Sequence, residues 1–328
     1  MNLPMMAQIL SLLLLPLARA AKGFNVDVGD RHVWSVVPRG FASMTMDFHP
    51  GSQGPTWGAN ASILEVDLSS AALRGYASAL APGVLRLGGS EAGSEVMYTD
   101  FPDDELKCPP GYYYCLSRAR WDEILEFAAA TGVRLMLDLN LIGPGSSTDF
   151  DGAGLSNIGA MLSYTAQQDA AAVWGWEVGN ENQGTLEAAE AARRLVAVRG
   201  LIDEYWPDAA ARPLLVGPSA HIETDWLMDF VAALGPTPTA VLDVFAYHMY
   251  SGYGLAGNLA DQMMGPAFLD DAKALVRRAA DAVHKVAPTM RVMVSETAAA
   301  WNSGAPNITD SFESGFWCVC CYRLSPLR

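Results

Sequence analysis

The 328-residue sequence is poor in basic side chains and in charge as a whole. It holds 21 Lys and Arg against 36 Asp and Glu, a formal net charge of −15, and only 17% of its residues are charged. Nucleic-acid binding needs clustered Lys and Arg, so this balance argues against nucleic acid and against any polyanion held by charge. The 51% of hydrophobic residues predicts a folded protein with a large buried core.

The sequence also lacks the motifs of several common chemistries. It has no H-E-x-x-H, no Walker loop, no G-x-S-x-G and no Cys/His metal spacing. Zinc hydrolysis, phosphoryl transfer and acyl transfer therefore have no support. The first predicted strand–helix turn has no G-x-G-x-x-G, which weakens the case for a doubly wound nucleotide-binding sheet.

A long hydrophobic run occurs only at the N-terminus. Residues 1–22 contain an apolar run over 9–17 followed by Ala18-Arg19-Ala20, a pattern that predicts a secretory signal peptide. No Lys or Arg precedes the run, so an uncleaved anchor or a misassigned start is the alternative. The run is shorter than the roughly 20 residues that span a bilayer. We expect a protein of the secretory pathway that is secreted, lysosomal or vacuolar, or held at the cell surface.

Cysteine is scarce as well, with five in the chain. Cys108 and Cys115 bracket the short segment CPPGYYYC and are disulfide candidates in an oxidising compartment. Zinc binding is the weaker alternative, because no His lies near this pair. The sequons at Asn60 and Asn307 are candidate glycosylation sites, as expected of a secreted protein.

Seven short apolar runs alternate with amphipathic segments, which is typical of βα units around a parallel sheet. The runs are 41–47, 83–87, 133–139, 173–178, 213–216, 241–247 and 291–295. The helical candidates lie near 68–80, 119–131, 158–171, 185–205, 223–234, 268–287 and 310–320. The sequence therefore predicts an α/β fold of the TIM-barrel type, an incomplete (β/α)8 barrel with seven of eight units, over a doubly wound open sheet.

Polar side chains gather where these runs end, and that face of a barrel carries the chemistry. They are Asp47, Ser90, Glu91, Asn140, Asn180, Glu181, His248, Tyr250 and Glu296. Glu181 and Glu296 follow the fourth and seventh runs, which places them across the barrel mouth. A retaining glycosidase needs two such carboxyl groups about 5–5.5 Å apart, one as proton donor and one as nucleophile. Two other interpretations compete with this one. Either Glu could be a solvated residue at the end of a strand. Alternatively, Glu177 could be the functional residue, because period-2 alternation places it on the same strand face as Glu181.

Aromatic residues near these carboxylates have two interpretations each. Trp174 and Trp176 are predicted to pack the barrel, whereas Trp301, in a loop just past the second carboxylate, is the better sugar-stacking candidate. His248 and Tyr250 are either satisfied core residues or functional ones, in which case Tyr250 donates a hydrogen bond that keeps Glu296 ionised.

The order and spacing of several strings resemble the heparanase-like β-glucuronidases of glycoside hydrolase family 79. The strings are Leu85-Arg-Leu-Gly-Gly-Ser90, Trp176-Glu-Val-Gly-Asn-Glu181, Tyr247-His-Met-Tyr250, Ser295-Glu-Thr297, Gly304-Ala-Pro306 and Asp310-Ser-Phe312. They extend from about residue 40 to residue 317, and this resemblance implies a barrel glycosidase with catalytic glutamates on strands four and seven.

The resemblance also implies roles for individual residues. Glu181 would be the acid/base, Glu296 the nucleophile and Asn180 the contact to the sugar's 2-hydroxyl. Asp47 and Ser90 would line the subsite for glucuronic acid, with Tyr250 and His248 beside the carboxylates. The resemblance implies no metal or organic cofactor.

Two departures from the family bear on the substrate. The segment after the acid, Asn182-Gln-Gly-Thr-Leu-Glu-Ala-Ala-Glu190, has no Lys or Arg, which argues against a highly sulfated glycan. Asn302 and Ser303 stand where the family has glycines thought to hold the uronate; the loop still offers N–H groups, but this departure weakens the case for uronate selectivity. We expect a retaining hydrolase of β-linked glucuronides; a barrel glycosidase on neutral β-glycosides and an inactive carbohydrate-binding protein are the alternatives.

The signal-peptide pattern and the family resemblance together predict a domain organisation. Residues 1–22 would be the signal peptide, 23–38 an N-terminal strand belonging to a β-sandwich, 39–317 the barrel, and 318–328 a tail unlike the expected helix. Family members continue with an eighth βα unit and a β-sandwich, so the expectation from sequence is a C-terminally truncated chain.

Overall fold

Seven strands form one parallel sheet in the computed structural model, which describes residues 39–50, 61–146, 149–168, 171–222, 224–312, 314–315 and 317. Together with a separate pair, β3 and β4, they make nine strands among the described residues: β1 (Met44–Asp47), β2 (Val84–Gly88), β3 (Met97–Thr99), β4 (Cys115–Ser117), β5 (Arg134–Leu139), β6 (Val173–Val178), β7 (Leu214–His221), β8 (Val244–Tyr253) and β9 (Arg291–Trp301). The sheet has the order β1-β2-β5-β6-β7-β8-β9, so its spatial order follows chain order. This is the arrangement that successive βα units produce.

Helices fill the connections between these strands. They are α1 (Ala71–Leu80), α2 (Ser90–Ser94), α3 (Arg118–Thr131), α4 (Leu155–Gln167), α5 (Ala188–Tyr205), α6 (Thr224–Ala233), α7 (Leu259–Met263) and α8 (Pro266–Val286). Ser70 and Ser117 cap α1 and α3 by accepting a backbone N–H, and Gly132 ends α3 in the left-handed conformation that glycine favours. Single turns of 3₁₀ helix lie at Pro144–Ser146, Asn182–Gly184 and Pro238–Ala240, with a π turn at Phe150–Gly154.

The incomplete (β/α)8 barrel is the fold found. The sheet forms a nearly closed barrel, since Arg86 on β2 reaches Glu296 on β9 with a hydrogen bond of 2.6 Å. An apolar layer fills the inside of the barrel, formed by Val84, Met136, Val216, Val244 and Ala246 with Trp174, Leu214 and Met293. Outside the sheet, fully buried Trp176 packs between Trp121 and Trp206, so the predicted packing role of this tryptophan is confirmed.

Three strands are longer than the sequence predicts. β7, β8 and β9 extend to His221, Tyr253 and Trp301, because parallel pairing between β8 and β9 continues to the Tyr253–Trp301 pair. His248, Tyr250 and Glu296 therefore lie within strands, and their predicted positions at strand ends are wrong. Trp301 is the last residue of β9 and not a loop residue.

The predicted helix near 310–320 is confirmed only in part: residues 314, 315 and 317 are helical, whereas residues 310–312 are not. Residues 306–312 form successive turns, in which Asn307 has a left-handed backbone with φ 64°. The Thr309 hydroxyl accepts the Ala305 N–H at 2.9 Å, which diverts the chain from helical pairing.

A separate pair of short strands, β3 and β4, was not predicted. A disulfide joins Cys108 to Cys115 at the start of β4 and closes the intervening loop. The phenol of Tyr112 in this loop donates a hydrogen bond to the Glu95 carbonyl, just before β3. The closed loop is thus attached to the segment that follows α2.

Several predictions concern residues outside the described ranges. They are the signal peptide over 1–22, the strand segment over 23–38, the sequon asparagine Asn60 and the tail over 318–328. The other sequon asparagine, Asn307, is exposed. Among the described residues, none of the helices combines the length and apolarity needed to cross a bilayer.

Candidate active site

Glu181 and Glu296 face each other at the barrel mouth. Glu181 follows β6, whereas Glu296 lies within β9. One oxygen of each carboxylate lies within 4.8 Å of the other, and the side chains keep 24% and 22% of their surface exposed. Two carboxylates distant in sequence are thus close together, and both can be reached from solvent.

Glu296 is held by donors on both oxygens. The hydroxyl of Tyr250 donates to Oε1, and Nη1 of Arg86 donates to Oε2 at 2.6 Å. Burial raises the pKa of Glu296, but the positive charges of His248 and Arg86 and these two hydrogen bonds outweigh it, so the pKa is lowered overall. The geometry therefore favours the ionised carboxylate, the form that a nucleophile needs.

Glu181 is placed by an unusual backbone turn. Gly179 and Glu181 both have left-handed backbones, with φ 87° and 51°, and the Glu181 N–H bonds to the Ser219 carbonyl at 2.9 Å. Its carboxylate lies between two imidazoles, at 2.9 Å from Nδ1 of His248 and 3.3 Å from Nε2 of His221. Groups that exchange protons therefore surround Glu181 on two sides.

Arg86 lies beneath the catalytic candidates and binds Glu296 and Asn180, the chain neighbour of Glu181. It is 2% exposed, and its guanidinium donates to Glu177 at 2.5 Å, to Glu296 at 2.6 Å and to Asn180 Oδ1 at 2.7 Å. Glu177 is fully buried and also accepts the Ser219 hydroxyl. Glu177 is thus the counter-ion of Arg86 beneath the site, which leaves Glu181 as the carboxylate of this segment that a substrate can reach.

Asn180, directly before Glu181, is held by two hydrogen bonds. Its Oδ1 accepts from Arg86, and its backbone N–H donates to Oδ1 of Asn182 at 3.0 Å. Because the amide oxygen is used by the guanidinium, the NH₂ group is the end left to donate to a ligand hydroxyl.

Asp47 lies at the end of β1 near Glu296. Burial raises the pKa of Asp47 to about 6; the His49 N–H, which donates at 2.7 Å, opposes this shift, and the negative charges of Glu91 and Glu296 add to it. Gly89 allows this arrangement, because a Cβ there would lie 2.3 Å from the Asp47 carboxylate. Ser90 begins α2 directly afterwards and is exposed.

Trp301, Asn302 and Ser303 lie further out. Trp301 pairs with Tyr253 across the strands, five residues beyond the His248–Glu296 pair, or about 16 Å along β9. The two rings stack with centroids 4.5 Å apart, and 50% of Trp301 is exposed. Asn302 and Ser303 follow in an exposed left-handed turn with φ 62° and 61°. The structure does not bring these three residues into the cluster around Glu181 and Glu296.

The match to a known family agrees with this geometry. The model for "Glycosyl hydrolase family 79, N-terminal domain" matches residues 24–321. The chain belongs to this family. The predicted resemblance to heparanase-like family 79 proteins is confirmed, because the curated relatives include proteins named heparanase and heparanase-like.

Two relatives and two solved structures show the extent of the likeness. Heparanase-like protein 3 of Arabidopsis thaliana is 25% identical over 89% of this chain and 58% of its own length. Baicalin-beta-D-glucuronidase of Scutellaria baicalensis is 26% identical over 80% of this chain and 54% of its own length. The chain therefore spans little more than half the length of these relatives.

Among solved structures, the GH51 arabinofuranosidase of Xanthomonas axonopodis pv. citri superposes with a TM-score of 0.60 at 13% identity, covering 88% of this chain and 64% of its own. The 4-O-alpha-L-rhamnosyl-beta-D-glucuronidase of Fusarium oxysporum 12S superposes with a TM-score of 0.55 at 15% identity. The superposition covers 86% of this chain and 59% of the glucuronidase chain. At this identity the likeness shows the shared barrel fold.

Sequence analysis missed two functional candidates of this family 79 chain. Arg86 is the one charged residue of the apolar strand β2. This lone Arg could have been recognised from the sequence, because a charged side chain is rarely buried without a partner. His221 ends β7 and touches Glu181, but the predicted strand stopped at 216 and left this residue unassigned.

The cluster of Glu181, His248 and Glu296 also has the spacing of a possible metal site, since one donor atom of each lies within 4.8 Å of the others. The donors already have partners, because Arg86 and Tyr250 bond to Glu296 and His248 contacts Glu181. The guanidinium supplies the positive charge that a metal would bring, so this set suits proton transfer and nucleophilic attack better than metal ligation.

Proposed function

We propose that this protein is a retaining glycoside hydrolase that cleaves β-linked glucuronides by double displacement. The observation that carries the proposal is the separation of Glu181 and Glu296, whose nearest oxygens lie within 4.8 Å. Retaining enzymes hold their carboxyl groups about 5–5.5 Å apart, while inverting enzymes leave about 6.5–9.5 Å for a water molecule. The separation therefore favours direct attack by a carboxylate.

The proposed reaction has two steps. Glu296 attacks the anomeric carbon while Glu181 donates its proton to the departing glycosidic oxygen, which forms a glycosyl ester and releases the aglycone as an alcohol. Glu181, now ionised, takes a proton from water, and the resulting hydroxide equivalent displaces Glu296 from the sugar. Both carboxyl groups return to their starting states.

The surrounding residues support these steps. Arg86 and Tyr250 stabilise the ionised Glu296, and burial together with the neighbouring Glu296 raises the pKa of Tyr250, so its hydroxyl stays a donor. The NH₂ group of Asn180 is placed to donate to the sugar's 2-hydroxyl, a bond that strengthens in the oxocarbenium-like transition state. His248 holds the Glu181 carboxyl at 2.9 Å and so fixes the acid/base.

The choice of a glucuronide is supported by the family and by the name of the relative from Scutellaria baicalensis. The net charge of −15 argues against a highly sulfated glycan. We also propose that the protein works in the secretory pathway, since the Cys108–Cys115 disulfide suits an oxidising compartment.

Turnover of a panel of nitrophenyl glycosides tests the proposal. We expect release of nitrophenol from the β-glucuronide and not from the β-glucoside, β-galactoside or arabinoside, with proton NMR showing the β-anomer as the first product. Hydrolysis of neutral sugars alone would overturn the substrate assignment. An α-anomer as first product would overturn double displacement, and binding without turnover would make the chain an inactive carbohydrate-binding protein.

The Glu181→Gln variant separates the acid/base role from a structural one. We expect kcat/KM to fall by about 10²–10⁴-fold for phenyl glucuronide but far less for the dinitrophenyl glucuronide, whose leaving group departs without a proton. The exposed Glu126→Gln variant is the matched control and should follow the wild type. Equal losses on both substrates would contradict the role of Glu181 as proton donor.

A further inference from the structure

Two histidines contact opposite oxygens of the Glu181 carboxylate. Nδ1 of His248 lies 2.9 Å from Oε1, and Nε2 of His221 lies 3.3 Å from Oε2. The two histidines are partners in the parallel pairing of β7 with β8. The His248 side chain is fully buried, whereas the His221 side chain keeps 46% of its surface exposed. His221 is therefore the neighbour of Glu181 on the open side of the barrel mouth.

We propose that His221 is a positioning residue for the acid/base: it holds Oε2 of Glu181 where that oxygen can pass its proton to the departing glycosidic oxygen. The inference rests on the proposed function, because it needs Glu181 to act as the acid/base. It also goes beyond that function, since neither the sequence motifs nor the family resemblance assigns a role to His221.

The end of β7 brings His221 to the turn that carries Glu181. Ser219 has a left-handed backbone with φ 52°, and the pairing of β7 with β8 shifts at this point. The Ser219 carbonyl accepts the Glu181 N–H at 2.9 Å, and the Ser219 hydroxyl donates to buried Glu177. This segment is thus attached to the β6 side of the site by two hydrogen bonds, two residues before His221. The backbone itself therefore determines how closely His221 approaches Glu181.

The two oxygens of Glu181 have different surroundings. Oε1 lies against buried His248, whereas Oε2 faces the exposed His221. A glycosidic oxygen arrives with its aglycone from the open side, so Oε2 is the oxygen that it meets. The last torsion of a Glu side chain is broad, and a neighbour on each oxygen restricts it. This restriction matters because a catalytic group misplaced by about 1 Å can lose about 10²-fold in rate.

His221 can keep this contact in both states of the acid/base. With its hydrogen on Nε2, the imidazole donates to Oε2 of the ionised carboxylate. When Oε2 carries the proton, a lone pair of Oε2 still accepts that N–H, while the proton points toward the glycosidic oxygen. The proton therefore passes from Oε2 to the leaving group without a movement of Glu181, and His221 neither gains nor loses a proton.

Two other roles of His221 lead to different expectations. A purely structural role at the end of β7 changes stability and weakens all ligands alike. A contact to the aglycone affects only ligands that have an aglycone. A positioning role instead affects ligands that take a proton from Glu181, whether or not they carry an aglycone.

Two inhibitors without an aglycone test the role of His221 by titration calorimetry. One is a glucuronic acid ring fused to an imidazole, whose free nitrogen stands in the place of the glycosidic oxygen and accepts a proton from the acid/base. The other is the fused pyrrole analogue, which has carbon in that place. In His221→Ala we expect the affinity for the imidazole to fall by about tenfold, the effect of one hydrogen bond, and the affinity for the pyrrole to change by less than about twofold.

Two further variants complete the comparison. His221→Gln keeps a side-chain N–H donor and should recover most of the affinity for the imidazole. His284, whose Nε2 lies 3.0 Å from the Met290 carbonyl near the end of α8, provides the matched control, and His284→Ala should follow the wild type. An equal loss for both inhibitors in His221→Ala, or no loss, would overturn the inference. A His221→Gln variant as weak as His221→Ala, or a wild type that binds neither inhibitor, would overturn it as well.

Turnover of phenyl and dinitrophenyl glucuronide is measured separately on the same proteins. In His221→Ala we expect kcat for phenyl glucuronide to fall by about 10–100-fold with little change in KM, and kcat/KM for dinitrophenyl glucuronide to stay near that of the wild type. The expected binding behaviour without turnover by the wild type would remove the proposed hydrolase and leave the contact of His221 with the proton donor standing. Turnover by the wild type with equal losses on both substrates in His221→Ala would do the reverse.

Discussion

Replacing Glu296 with glycine should lower kcat for nitrophenyl β-glucuronide by on the order of 10⁴-fold or more, because no other group can form the glycosyl ester. Glu296 is the carboxylate held by both Arg86 and Tyr250, and its pKa is lowered despite burial. The neighbouring Glu177 cannot substitute, since it is fully buried and bonded to Arg86.

Azide should rescue this variant and identify the missing nucleophile. Azide enters the space left by the carboxylate, attacks the anomeric carbon and expels nitrophenolate, so the product is the α-glucuronyl azide. Product analysis by NMR distinguishes this from simple recovery of hydrolysis, which would give free glucuronic acid. The Glu126→Gln variant controls for an unrelated loss of a carboxylate and should keep wild-type turnover. Full activity of Glu296→Gly without azide would remove the proposed mechanism.

The residues of this mechanism differ in how far sequence could predict them. Glu181 and Asn180 follow a short apolar strand, and Glu296 follows the apolar first residues of β9, so alternating βα units place them at one face of a barrel. Their mutual approach depends only on strand order, which successive right-handed βα units determine. The barrel and the catalytic pair were therefore predictable.

The contacts around the pair were not predictable, because they depend on local irregularities of the strands. The pairing of β7 with β8 shifts between Pro218 and Ala220, and that of β8 with β9 shifts between Tyr247 and His248. Each shift changes which side chains face the interior, so period-2 alternation gives wrong neighbours beyond it. The strands also continue beyond their predicted ends, which is why His221 was missed and why Trp301 lies about 16 Å along β9 from the catalytic carboxylates.

Loss of Arg86 should have the largest effect on stability. The Arg86→Met variant should lower the free energy of unfolding by about 3–5 kcal/mol, because Glu177 would stay buried without a counter-ion. Burial opposes the charge of Arg86, but Glu177, Glu296 and Asp138 together raise its pKa, so the native guanidinium stays charged. Burial and the negative charge of Glu177 also raise the pKa of Asp138, which favours the protonated form and leaves Glu177 as the main partner.

Urea unfolding of a small set of variants tests this role of Arg86. Arg74→Met is the matched control, since Arg74 pairs with exposed Glu126 and should cost no more than about 1 kcal/mol. The double variant Arg86→Met with Glu177→Gln should recover part of the loss, because it removes the uncompensated charge. Gly88→Ala gives an independent check with Arg86 present: its Cβ would lie 2.6 Å from the guanidinium carbon and displace the side chain. If Arg86→Met were as stable as Arg74→Met, the buried ion pair between Arg86 and Glu177 would not be what stabilises the structure beneath the catalytic carboxylates.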